Sequence, residues 1–219
     1  MANRCDAVVG VGTSEIQFES QSEWSRKWEQ DIVTYSFIRD SEDIPGRAEE
    51  RKALNLAMTT WDLEIPLKLK WVRRNQNPDI TIEFKTKVEE PHFRDHPATL
   101  AYAYFPGQGE ISGIIIFNEE YRWSLDGRNM RHENRDGSIV MVKTYNLIQV
   151  LVHEIGHSIG LRHSESSTKD VMNPYYNGGT MTLSPEDIYR IRKIYGTRLW
   201  NWRFYTRVKN WLYHRKRRY

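Results

Sequence analysis

At 219 residues, with 39% hydrophobic and 28% charged side chains, the chain has the composition of a globular protein with room for one sizeable core. No apolar run approaches the ~18 residues of a membrane span, the opening MANRCDAVVG lacks the apolar stretch of a signal peptide, and the one cysteine, Cys5, excludes an internal disulfide. The net charge of +3 hides an asymmetry: residues 197–219 carry eight Lys or Arg and no acid, which leaves residues 1–196 at −5.

Residues 1–30 show no periodicity and read as irregular. DIVTYSFI (31–38) reads as a strand, and a helix follows on which Leu54, Ala57, Met58 and Trp61 recur at helical spacing. PLKLKWV (66–72) and DITIEFK (79–85) alternate apolar and polar residues as half-buried strands do. TLAYAYF (99–105) and ISGIIIF (111–117) flank Pro106-Gly107; the second is apolar on both faces, which places it centrally. Residues 124–138 are polar and turn-rich and read as a surface loop. A helix is expected from about Lys143 to Gly160, with Leu147, Val150, Leu151 and Ile155 on one face. A last helix opens at SPEDIY, where Ser184 suits the N-cap, Pro185 the first turn and Asp187 the positive helix end, and Gly196 stops it. This order implies an α+β fold with a mixed sheet.

The chemistry lies in HEIGHSIGLRH, residues 153–163. On a helix, His153 and His157 are one turn apart on one face and can aim two imidazoles at one ion. Glu154 lies ~100° further round the axis. Gly160 can adopt φ > 0 and end the helix, so that His163 returns as a third ligand. Three imidazoles with an open fourth position is the composition of a catalytic zinc site. Zinc acidifies its bound water from ~16 toward ~7, and Glu154 is placed to take that proton and pass it to a leaving amine. The reaction class is metal-assisted amide hydrolysis.

HEIGHSIGLRH followed by Ser164, and VMNPYY nine residues on, resemble the metzincins and, among them, the matrixin catalytic domain, over roughly residues 25–196. The resemblance implies a twisted five-stranded mixed sheet with three helices, preceded by an N-terminal segment (1–24) and followed by a basic tail (197–219). It implies a Met-turn with Met172 beneath the metal and an S1′ pocket walled by Pro174 and Tyr176 above Gln149. It also implies an extended protein substrate along the edge strand at Leu100, Ala101 and Tyr102, and secretion to act on extracellular matrix proteins. Matrixins carry a second, structural zinc and calcium ions. Here Tyr102 and Ile116 replace two of the usual zinc-ligating histidines, while Ile114, Asn118 and Tyr121 replace usual acidic residues. His92, Asp95 and His96 in the preceding loop read as surface polar groups. The expectation is one catalytic zinc, with structural zinc and calcium absent or reduced and the Ile114–Ile116 run packing in their place. Asn3-Arg4-Cys5-Asp6 echoes the family's cysteine switch only in Arg4-Cys5, so Cys5 is either a latency ligand or a free thiol.

In the tail, Trp200, Phe204, Val208, Trp211 and Leu212 form one stripe if helical. Such a stripe docks on the chain's own body or anchors to a membrane surface or anionic polymer; nucleic acid is the less favoured partner, and a solvated, disordered tail is the remaining reading. The functional alternative to a zinc endopeptidase is a metzincin-fold binding protein that no longer hydrolyses and works through this tail.

Overall fold

The computed structural model describes residues 4–8, 26–179 and 181–198. Its elements are β1 (Arg4–Val8), β2 (Ile32–Arg39), α1 (Arg47–Asp62), β3 (Lys68–Trp71), β4 (Ile80–Lys85), α2 (Pro91–Asp95), β5 (Thr99–Tyr104), β6 (Ile114–Asn118), β7 (Trp123–Ser124), β8 (Met130–Glu133), β9 (Ile139–Val142), β10 (Tyr145–Asn146), α3 (Leu147–Ser158) and α4 (Pro185–Tyr195). Strands β2 to β6 form the expected mixed sheet, and β1 adds a sixth strand, in the order β1-β5-β6-β4-β2-β3. Strands β2, β3, β4 and β6 run parallel, while β5 is antiparallel to β6 and β1 antiparallel to β5. The all-apolar β6 lies between β4 and β5, as its two buried faces require.

The alternation read in β4 places Ile80, Ile82 and Phe84 in the core. The Phe84 ring packs 4.9 Å from Phe117 and 5.9 Å, edge-on, from Trp123. On α1, the stripe Ala53, Leu54, Ala57, Met58 and Trp61 is buried, and the Trp61 indole N–H donates to Val152 O of α3 at 2.8 Å. That bond satisfies the polar atom of a fully buried indole and fixes the two helices against each other.

Three readings of chain order need correction. Residues 1–30, read as irregular, include the strand β1, which pairs with β5. Helix α3 begins at Leu147, not near Lys143, because Tyr145–Asn146 pair with Trp123–Ser124 and the Asn146 carboxamide accepts the Gln149 amide at 3.0 Å as an N-cap. The surface loop read at 124–138 contains one arm of a β-hairpin, β8 against β9, turning where Asn134 N–H donates to Ser138 O at 2.8 Å and Gly137 has φ 82°. Both faces of this ribbon meet solvent, so neither burial nor strict alternation marked it.

Where a structural zinc would sit in the family pattern, Phe93, Tyr102 and Ile116 form a separate apolar cluster, each at most 4% exposed. His92 is also buried rather than a surface group, its ring edge-on to Tyr102 at 5.1 Å and 4.4 Å from His96. Ile115 faces the main core and Ile114 is half-buried. Aromatic packing thus joins α2 to β5 and β6. Tyr102→Ala is expected to lower unfolding free energy in urea by about 3–5 kcal/mol, as other buried aromatic truncations do, and added zinc is expected not to restore the loss.

Candidate metal centre and cleft

Helix α3 is buried along its whole length, which is why its sequence is apolar apart from the residues that carry chemistry. His153 and His157 project from one face with ring centroids 4.7 Å apart. The chain then reverses at Gly160, whose φ is 108° and where a Cβ would lie 2.1 Å from Arg26 O, so only glycine fits. The reversal brings the His163 ring to 4.7 Å from His157 and 5.2 Å from His153. One ring nitrogen from each of the three lies within 4.8 Å of the others, the one such group of metal-ligating residues among the described residues.

The tautomers decide what this group can hold. His153 Nδ1 is 2.7 Å from Val171 O and His157 Nδ1 is 2.6 Å from Leu161 O, so each Nδ1 carries the proton and donates it to a carbonyl. Both Nε2 atoms are then bare lone pairs, and they face each other at 3.0 Å. Two lone pairs at that distance repel unless a cation lies between or beside them. His163 Nε2 is buried with no hydrogen-bond partner among the described residues. The donor set therefore fits a divalent metal ion with nitrogen preference, zinc first among them. Glu154 is fully buried beside it.

A support not read from the sequence is Asp187. It closes a capping box with Ser184 at the start of α4, and its carboxylate also accepts the amides of Val171 at 2.8 Å and Met172 at 3.3 Å. Through Val171 it sets the carbonyl that orients His153. Its dipole position at the helix start was visible in the sequence; its second role needed residues sixteen apart to meet. Met172 is fully buried, and a Cβ on Gly156 would come within 2.3 Å of its Sδ, so the methionine lies directly under the ligand helix. Ser164 N–H donates to Met172 O at 2.8 Å and its hydroxyl to Asp170 at 2.7 Å, locking the segment after His163. Trp28 donates to Ser158 O at 2.8 Å and Tyr195 to Ile159 O at 2.9 Å, satisfying carbonyls at the end of α3.

A matrixin family model matches residues 27–196. The chain belongs to the matrixin family. Its similar relatives include matrilysin of Felis catus, 37% identical over 180 residues, covering 78% of this chain and 61% of that protein. Human matrilysin is 35% identical over 182 residues, covering 80% and 60%. Human matrix metalloproteinase-16 is 33% identical over 202 residues, covering 87% and 31%. The chain thus matches about three-fifths of the length of the two matrilysins.

Of the other residues the matrixin resemblance singled out, Gln149, Pro174 and Tyr176 do come together, around a space of about 20 Å³ beside His153 and Val171. The Gln149 carboxamide donates to Asn177 at 2.7 Å, and the Tyr176 hydroxyl accepts the Asn146 amide at 3.0 Å. Leu100, Ala101 and Tyr102 are buried in β5 of this matrixin, and the backbone edge expected to be open is paired with β1: Cys5 stands opposite Ala103, Asp6 opposite Tyr102 and Ala7 opposite Ala101. The cysteine's backbone therefore sits on the edge strand. Arg198, at the start of the basic tail, bonds to Ile65 O at 2.5 Å and to Asp62 at 3.2 Å; the tail stripe itself lies outside the described residues.

Burial pushes the His153 imidazole from 6.5 down to about 4. Burial first, then the neighbouring imidazoles and Arg190, hold His157 and His163 well below the usual value. Unfolded imidazoles take up protons below about 6.5 that these folded ones refuse, so their contribution to stability is full above that pH and is lost as pH falls toward 4. Buried Glu50 and Glu119, both raised by burial, act in the opposite sense. In chelator-treated protein, the thermal midpoint of the wild type should therefore fall more steeply from pH 6.5 to 4 than that of His157→Gln; parallel profiles would contradict the neutral buried triad.

Proposed function

We propose that the chain is a zinc-dependent matrixin endopeptidase that hydrolyses peptide bonds of extracellular protein substrates, matrix proteins among them. The observation that carries this is the convergence of three imidazole nitrogens, two of them fixed as lone pairs by backbone carbonyls, beside the buried carboxylate of Glu154. Zinc bound there supplies Lewis acidity, acidifying water and drawing electron density from the scissile carbonyl. His153, His157 and His163 hold it, and the carbonyls of Val171 and Leu161 keep the rings in the ligating tautomer. Glu154 accepts the proton of the attacking water and returns it to the departing amine. Its burial keeps bulk water from competing for that proton.

Pro174, Tyr176 and Gln149 bound the S1′ pocket in this reading. With Gln149 tied to Asn177 across its floor, the pocket takes a small or medium apolar side chain after the cut. Leu100, Ala101 and Tyr102 offer the backbone of β5 to an extended substrate by strand addition, in the place β1 occupies. The reading includes one catalytic zinc and no structural one, because Tyr102 and Ile116 stand where ligands would be needed.

Glu154→Gln is expected to lower kcat/KM on a fluorogenic peptide by about 10²–10⁴-fold while retaining about one zinc per chain by elemental analysis; undiminished turnover would remove the general-base role. Because β1 and a substrate compete for the same edge, deleting residues 1–8 should raise kcat/KM mainly through a lower KM, read in the same assay beside the intact chain. An unchanged KM would mean that substrates do not use β5. A non-hydrolysing binding protein acting through the basic tail would bind zinc yet leave every peptide intact.

A further inference from the structure

At the sheet edge opposite β5, the N-terminus of α1 and the β3–β4 connection enclose a cleft of about 430 Å³. Four arginines line it: Arg47 and Arg51 from α1, Arg73 and Arg74 from the connection, with a single carboxylate, Asp40, among the lining residues. Asp40 is shared, 2.8 Å from Arg47 and 2.9 Å from Arg74. Among the described residues no carboxylate pairs with Arg51 or Arg73, so the cleft has a surplus of three positive charges. This runs against the body's balance, since residues 1–196 sum to −5. A local excess of one sign in a concave, low-dielectric setting focuses field and attracts a counter-charge.

The helix end adds to it. Gly46, the N-cap of α1, makes no side-chain cap bond, and Ala48 of the first turn lines the cleft. First-turn amides without a cap present partial positive charge. The first-turn acids do not cancel this in the cleft: Glu49 bonds Lys52, and Glu50 is buried on the Ser41 amide at 2.7 Å. The remaining lining residues are Phe37, Ser36, whose buried hydroxyl donates to Phe37 O at 3.3 Å, Asn75, and Trp71, whose indole face is covered by the Arg51 guanidinium at 5.1 Å. A covered indole leaves no platform for a nucleobase. Planar guanidinium forks beside the exposed Asn75 carboxamide suit instead a polymer of rings bearing oxyanions and hydroxyls.

We propose that this cleft binds a sulfated polysaccharide, with sulfate oxygens on Arg51 and Arg73 and the α1 amides, and that it tethers the chain to such a polymer at a distance from the metal centre. The described lining includes no residue of the metal centre, and the proposal does not rest on the peptidase reading.

The test is calorimetric titration of the full chain with a heparin-derived tetrasaccharide at about 0.1 M salt, where exposed charges interact over ~10 Å. The intact chain should bind, and Arg51→Ala with Arg73→Ala should weaken binding at least about ten-fold. A chain with Arg215, Lys216, Arg217 and Arg218 changed to Ala should bind as the intact chain does. Arg73→Glu alone changes only an exposed side chain, so a loss there is read without concern for the Arg51–Trp71 stack. Peptide hydrolysis should match the intact chain in each variant. Undiminished binding by the double variant, or loss in the tail variant alone, would overturn the proposal. Equal binding of an unsulfated hyaluronan tetrasaccharide, or tighter binding of a glutamate-rich peptide, would overturn the ligand assignment.

Discussion

Everything at the metal centre depends on two backbone carbonyls. Val171 O and Leu161 O each take the Nδ1 proton of a helix histidine, and by doing so they leave two Nε2 lone pairs pressed together at 3.0 Å. That arrangement is unfavourable without a cation, and the fold holds it in place. The Val171 carbonyl is fixed because its own amide and that of Met172 are bound by buried Asp187. The Leu161 carbonyl is fixed by the helix ending, where Leu161 N–H returns to Gly156 O at 2.9 Å and Gly160 makes the left-handed turn. The repulsion between ligands is thus sustained by hydrogen bonds one layer out, the pattern by which proteins preorganise metal sites.

The rest of the architecture keeps α3 still. Trp61 ties it to α1, while Trp28 and Tyr195 close its C-terminal end. On the far side of the sheet, an aromatic cluster around Tyr102 joins α2, β5 and β6 by packing. Buried rings fix these elements through many weak contacts, where a metal would do so through a few strong bonds. Packing of this kind needs no ion in solution and does not respond to chelators.

The two edges of the sheet differ in chemistry. The β5 edge, near the imidazoles, is a hydrogen-bonding surface already matched by the chain's own β1, residue for residue from Arg4 to Ala7. A small space between Gln149, Pro174 and Tyr176 lies beside His153. The β3 edge is charged, with Lys68 and Lys70 exposed along it and the arginine cleft at its end. Exposed lysines on an edge strand discourage strand addition by other chains.

The sequence by itself determined that His153 and His157 share a helix face, because the helical period makes their four-residue spacing a statement about geometry, and Gly160 makes the return of His163 feasible. It determined the five strands β2 to β6 and the helices α1, α3 and α4, because their apolar residues recur at strand or helix spacing or, in β6, run unbroken. It also placed Tyr102 and Ile116 where the matrixin resemblance implies zinc-ligating histidines. The tertiary structure decided what depends on meetings between distant residues: Asp187 under the Met-turn, β1 on β5, His92 buried on Tyr102, and four arginines around one carboxylate. The hairpin β8–β9 and the start of α3 escaped for a related reason. A ribbon exposed on both faces has no hydrophobic pattern to read, and the α3 boundary is set by the Asn146 cap and a two-residue strand pairing, contacts that local periodicity does not encode.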